Sequence, residues 1–163
     1  MRIINFCFYF LLILITSCKS TEKGNTQNKS ASAEVPFTVL SEGSNGGFDK
    51  DTLILIRSND EMNENWRKLF SNFVELPDMP AVNFSNQMVV ILNMGEKNNG
   101  GYNISVTSVV EKELQLAVYA DYISPGPNCL VAEVISYPFT VIAIPQKDKL
   151  VAVSKKAVVS ECK

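Results

Sequence analysis

The 163 residues carry 15 basic and 17 acidic side chains, and 46% of them are hydrophobic. That is enough for one globular domain with a real core, and the net charge of −2 gives no electrostatic footprint for nucleic acid. The chain contains no histidine, which removes the usual general base, the usual metal ligand and every Ser–His or Cys–His nucleophile pair.

Residues 1–17 read as an address. Met1-Arg2 is a minimal positive start, and Ile3–Ile15 is a mostly apolar run too short for a comfortable bilayer span. It ends in Ile15-Thr16-Ser17-Cys18, which resembles the lipobox of bacterial lipoprotein signal peptides. The resemblance implies cleavage before Cys18 and lipidation of its sulfur, so the mature protein is expected to be anchored to a membrane without spanning it. That places it in the cell envelope, facing the periplasm or the outside. Residues 18–34 contain no Val, Ile, Leu or aromatic side chain and are expected to form a flexible tether. In an oxidising compartment Cys129 and Cys162 form an even pair, and bridging them stabilises by roughly 3–4 kcal/mol in a chain-entropy account.

The globular domain is expected over 35–163. Phe37–Leu40 and Thr52–Ile56 read as strands separated by a polar segment containing Gly43, Gly46 and Gly47. Ser58 and Glu61 form a Ser-x-x-Glu capping box at the start of a helix. Met62, Trp66, Leu69, Phe70 and Phe73 then define one apolar face of that helix, predicted to run over about 59–72. Pro77 and Pro80 make an extended connector. From Gln87 onward the chain reads as strands: Gln87–Leu92, Tyr102–Val110, the alternating run from Leu114 to Tyr122, Leu130–Ser136, Phe139–Ile144, Leu150–Val153 and Ala157–Val159. The alternation predicts antiparallel hairpins with one buried and one wet face. The sum is a mainly β fold, a sandwich or barrel-like arrangement of antiparallel sheets with one amphipathic helix.

Two connections have the character of binding loops. Asn93–Tyr102 contains Gly95, Glu96, Lys97, Asn98, Asn99, Gly100, Gly101 and Tyr102. Glycine and asparagine accept φ > 0 at low cost, so this is a loop shaped by its backbone. Ile123–Asn128, with Ser124, Pro125, Gly126 and Pro127, reads as a rigid turn. Catalytic alternatives lack partners. No serine sits at a strained Gly-x-Ser-x-Gly turn beside Lys147, Lys149, Lys155 or Lys156, and Glu42, Glu96, Asp121 and Glu133 have no spacing that favours a pair. Gly95–Gly101 lacks the Gly-Lys-Ser/Thr ending of a phosphate loop and leads into a strand. No cofactor and no metal are expected.

Several motifs in order resemble the C-terminal domain of the PrcB family of protease complex subunits, over about 83–146. They are Asn83-Phe84, Met88-Val89-Val90, Gly95-Glu96-Lys97, Gly100-Gly101-Tyr102, Ser124-Pro125-Gly126-Pro127-Asn128-Cys129 and Tyr137-Pro138-Phe139. Upstream, Gly46-Gly47 and Glu64-Asn65-Trp66 with Leu69 are also similar to family members. The chain departs from the family at Asn98-Asn99, where Pro-Thr or Pro-Ser is usual, and this is expected to loosen the loop. The resemblance implies association with, or maturation of, an exported protease and no catalytic residues. A fainter similarity, Gly101-Tyr102 with its neighbouring asparagines, is to chagasin-type cysteine-protease inhibitors. The sequence therefore points to a non-catalytic, lipid-anchored binding domain. The alternatives are a protease inhibitor using the Gly95–Tyr102 loop and a structural envelope lipoprotein without a dedicated partner.

Overall fold

The structure, a computed structural model, describes residues 32–162. The expected signal segment, Cys18 and nearly all of the expected tether lie outside the described residues. In chain order the elements are β1 (Ala33–Val35), β2 (Thr38–Gly43), β3 (Lys50–Ile56), α1 (Asn59–Leu69), β4 (Gln87–Gly95), β5 (Asn103–Glu111), β6 (Gln115–Pro125), β7 (Phe139–Pro145) and β8 (Leu150–Ser160).

The strands form two four-stranded sheets, ordered β1-β5-β6-β8 and β2-β7-β4-β3. The mainly β, two-sheet architecture is the one expected. The second sheet is the middle layer of three, which explains why β4 and β7 read as continuous apolar runs. On β4, Met88, Val90, Leu92 and Met94 face the first sheet and join a core with Ile104, Val109, Leu116, Val118, Ile142 and Ile144. Val89 and Ile91, on the other face, join Phe139, Val141, Trp66, Leu69 and Phe70 in a second core under the helix. Successive side chains of one strand thus supply two cores.

Ser58 caps the helix as expected and accepts a hydrogen bond from the Glu61 amide at 3.2 Å, but the expected capping box is not closed, because the Glu61 carboxylate accepts from the Arg57 amide at 2.7 Å instead of from Ser58. It stops at Leu69, about one turn earlier than predicted, and Phe70 caps its C-terminal end. Phe73 consequently leaves the helical face and is 40% exposed. Trp66 is pinned from the connector, its indole N–H donating to the Pro77 carbonyl at 2.9 Å.

Four strand expectations need correction. Asn93–Gly95 belong to β4, so the loop after it begins at Glu96. Ile123–Pro125 continue β6 rather than turning, because they pair with Val158–Ser160. Leu130–Ser136 is not a strand; only an isolated bridge between Ser136 and Lys97 is made there. The last two runs are one strand, β8, and it lies parallel to β6 over Gln115–Pro125. The parallel pairing follows from the ends. β7 finishes and β6 begins at one end of the sandwich, so a short crossing from β7 to the other sheet sets β8 running alongside β6. Alternation reports which face a side chain occupies and carries no information about direction.

The two ends of the sandwich differ. β1 enters with Ala33 opposite Glu111, beside the β5–β6 hairpin and the β7–β8 crossing. At the opposite end three connections gather: 44–49, 96–102 and 126–138.

Candidate functional site

The loops 96–102 and 126–138 carry the chain from one sheet to the other at the same end of the sandwich, so the fold brings them together. Backbone hydrogen bonds zip them. The Lys97 amide donates to the Ser136 carbonyl at 2.8 Å, the Ser136 amide returns to the Lys97 carbonyl at 2.9 Å, and the Gly100 amide donates to the Ala132 carbonyl at 2.9 Å. The Ser136 hydroxyl donates to the Asn99 carbonyl at 2.7 Å. The third loop joins through the Gly46 amide to the Tyr137 carbonyl and the Tyr137 amide to the Ser44 carbonyl, each at 2.8 Å.

Two glycines are required by this geometry. Gly95 has φ +67°, and a Cβ there would lie 2.8 Å from the Asp49 carbonyl oxygen and the Asp51 nitrogen. Gly101 has φ +88°, and its Cβ would meet Val131 Cγ1 at 2.8 Å and Pro125 Cβ at 3.1 Å. The 96–102 loop and the Ser124–Pro127 segment are therefore packed on each other where Gly101 meets Pro125. Asn98 is exposed, whereas Asn99 is partly buried and held through its carbonyl; its Oδ1 is buried without a hydrogen-bond partner. Glu96 accepts from the Tyr137 hydroxyl at 3.0 Å, which holds the Tyr137 phenol above its ordinary pKa. The Lys97 ammonium lies 5.7 Å from the Tyr102 ring centroid. The Cys129 and Cys162 sulfurs are at disulfide distance, with Cα atoms 5.2 Å apart, and tie the end of β8 to this loop cluster.

Sequence reasoning missed the most exposed part of the cluster. Leu130 is fully exposed, and Val134 and Ile135 are 56% and 57% exposed. Their segment reads in the sequence as a strand. Its apolar residues, 130–132, 134 and 135, do not alternate with polar ones, and that spacing was the available signal.

The candidate catalytic groups do not converge. Lys147 and Lys149 bind Glu111 at 3.1 and 2.9 Å, Lys155 pairs with Asp51, and Lys156 lies 3.9 Å from Asp121. Hydrogen bonds from Lys149 and Lys147 hold the Glu111 carboxyl below the usual range, the reverse of a tuned general acid. Among the described residues no three His, Cys, Asp or Glu side chains lie together as a metal site.

Fold and site together define a helix-covered β-sandwich whose candidate site is built from pinned crossover loops and exposed apolar side chains. Residues 88–145 match the family model described as PrcB C-terminal, the family that the sequence motifs resemble. The match spans β4 to β7 and so includes both crossover loops. No curated protein and no solved structure matches the chain.

Proposed function

We propose that this chain is a non-catalytic, lipid-anchored, extracytoplasmic binding domain, an accessory or maturation subunit of an exported protease complex. The anchor is Cys18, and the partner-binding surface comprises Gly95–Tyr102 and Ser124–Pro127, extended by Leu130, Val134 and Ile135. One observation carries the reading: these loops meet at the end of the sandwich opposite the end at which the chain enters. An anchor upstream of Ala33 leaves that end free to reach a partner. The PrcB C-terminal match over the same loops supports a protein partner, with the protease drawn from the family resemblance. Exposed apolar side chains held on a rigid frame suit protein contact. The inhibitor alternative is the weaker one, because Gly101 packs against Pro125 and Val131 rather than projecting as a wedge.

The test is co-purification of the full chain from detergent-solubilised membranes. An exported protease recovered with the intact protein, and lost on Val134→Asp with Ile135→Asp, is the expected result. No protease in the eluate of intact protein overturns the proposal.

A further inference from the structure

We infer that the entry end of the sandwich docks on the lipid surface through Leu114 and Leu150. Leu114, at the tip of the β5–β6 hairpin, is 80% exposed, and Leu150, the first residue of β8, is 76% exposed. Their strands bring them together, since Leu150 pairs in register with Gln115, the residue after Leu114. The tip is braced: the Lys149 ammonium donates to the Lys112 carbonyl at 2.8 Å and binds Glu111 at 2.9 Å. Neither leucine belongs to either of the two cores.

The place at which the chain enters identifies the occupant. Ala33 is opposite Glu111, so the polypeptide coming from Cys18 joins the domain beside this hairpin. With Cys18 acylated, the two exposed leucines are the first part of the domain to meet the bilayer. A single weak contact becomes effective when a tether already holds the two surfaces together. The inference therefore rests on the anchoring at Cys18 proposed above.

The charge around the tip specifies the kind of lipid. Lys112, Lys147, Lys149 and Arg57, whose guanidinium donates to the Lys147 carbonyl at 2.9 Å, are balanced there by Glu111, Glu113, Asp148 and Glu61, which accepts from the Arg57 amide at 2.7 Å, and two of the lysines are committed to Glu111. The patch thus has no net positive charge with which to select anionic headgroups. Docking is apolar and works on zwitterionic phosphatidylcholine, the lysine stems lying along the interface with their ammonium groups in water.

The experiment uses the full, acylated chain carrying Leu114→Trp in phosphatidylcholine vesicles, with the unsubstituted protein measured in parallel to subtract Trp66. The expected result is blue-shifted emission from the new indole and at least twofold quenching by lipids brominated along their acyl chains. A Val134→Trp protein, labelled at the opposite end, stays unquenched, and adding Leu150→Asp to Leu114→Trp removes the quenching. Vesicle flotation separates docking from anchoring. Protein that floats with a water-like, unquenched Trp at 114 overturns the docking and leaves the anchor standing. Protein that does not float overturns both. Quenching that appears only after phosphatidylserine is added also overturns the inference, since it would make the contact electrostatic.

Discussion

Lys155 of β8 pairs with Asp51 of β3, linking the free edges of the two sheets, and its ammonium lies 4.9 Å from the centroid of the Tyr122 ring. Lysine on an exposed strand discourages pairing with another chain, and here it also closes one side of the sandwich. Both members of the ion pair are more than one-third exposed, so solvent screens them. Lys155→Met should change the stability measured by urea denaturation by no more than about 1 kcal/mol.

Tyr122, beneath that lysine, should dominate the alkaline limb of stability. Its hydroxyl is buried without a partner, and burial, helped by the charge of Asp51, pushes its pKa up to about 12. The unfolded phenol ionises near its ordinary value of about 10. Between those values the unfolded chain has released a proton that the folded chain keeps, so rising pH favours unfolding. The contribution is fully present below about pH 10 and is lost as pH rises through about 12. Urea midpoints measured across this window should fall, and Tyr122→Phe should flatten that fall; an unchanged slope in the variant would assign it elsewhere.

The core between helix and sheet depends on Phe139. Its ring meets Phe70 edge-on at 5.5 Å, is 1% exposed, and lies within 3.0 Å of where a Cβ on Gly43 would be. Phe139→Ala should cost about 3–5 kcal/mol by chemical denaturation, as expected for a buried aromatic that leaves a cavity. Trp66→Phe keeps most of the packing and removes the bond to Pro77, so its cost should be nearer 1 kcal/mol.

These contrasts show where the sequence was legible. Met62, Trp66 and Leu69 repeat at helical spacing behind the Ser58 cap, and all three are buried where that spacing puts them. The apolar runs Gln87–Leu92 and Phe139–Ile144 announced strands, and β4 and β7 form there. Sheet partners were not legible, because pairing and direction depend on where distant segments end, as β6 and β8 illustrate. The site was partly legible. Gly95 and Gly101 signalled backbone demands that the fold makes at both positions. Leu130, Val134 and Ile135 were misread because apolar content alone does not separate an interior strand from an exposed pinned loop.

Gly101→Arg tests whether that loop geometry matters. The residue holds φ +88° with Val131 and Pro125 against its Cα, so any side chain costs roughly 1–3 kcal/mol or displaces the loop. Stability should drop by that amount and partner recovery with it. Asn98→Ala, at an exposed position in the same loop, should alter stability by less than about 0.5 kcal/mol. The two variants together distinguish a shaped surface from one that merely needs its side chains.

The pairing of Cys129 with Cys162 makes a prediction of its own. Neither residue contributes to either core, and the bridge joins the 126–138 crossover to the C-terminal end of β8. Cross-linking these positions restricts mainly the unfolded chain, so Cys162→Ser should lower stability by about 2–4 kcal/mol. In the native state the effect should be local, because β4 and β7 retain their packing from both faces. Hydrogen exchange should accelerate in 126–135 and in the last residues of β8 while Val89–Leu92 and Val141–Ile144 stay protected. Thiol titration of the unfolded, non-reduced protein should find Cys129 and Cys162 both unreactive. Loss of protection spread evenly over both sheets would show instead that the bridge supports the whole sandwich, and free thiols at both positions would show that no bridge forms.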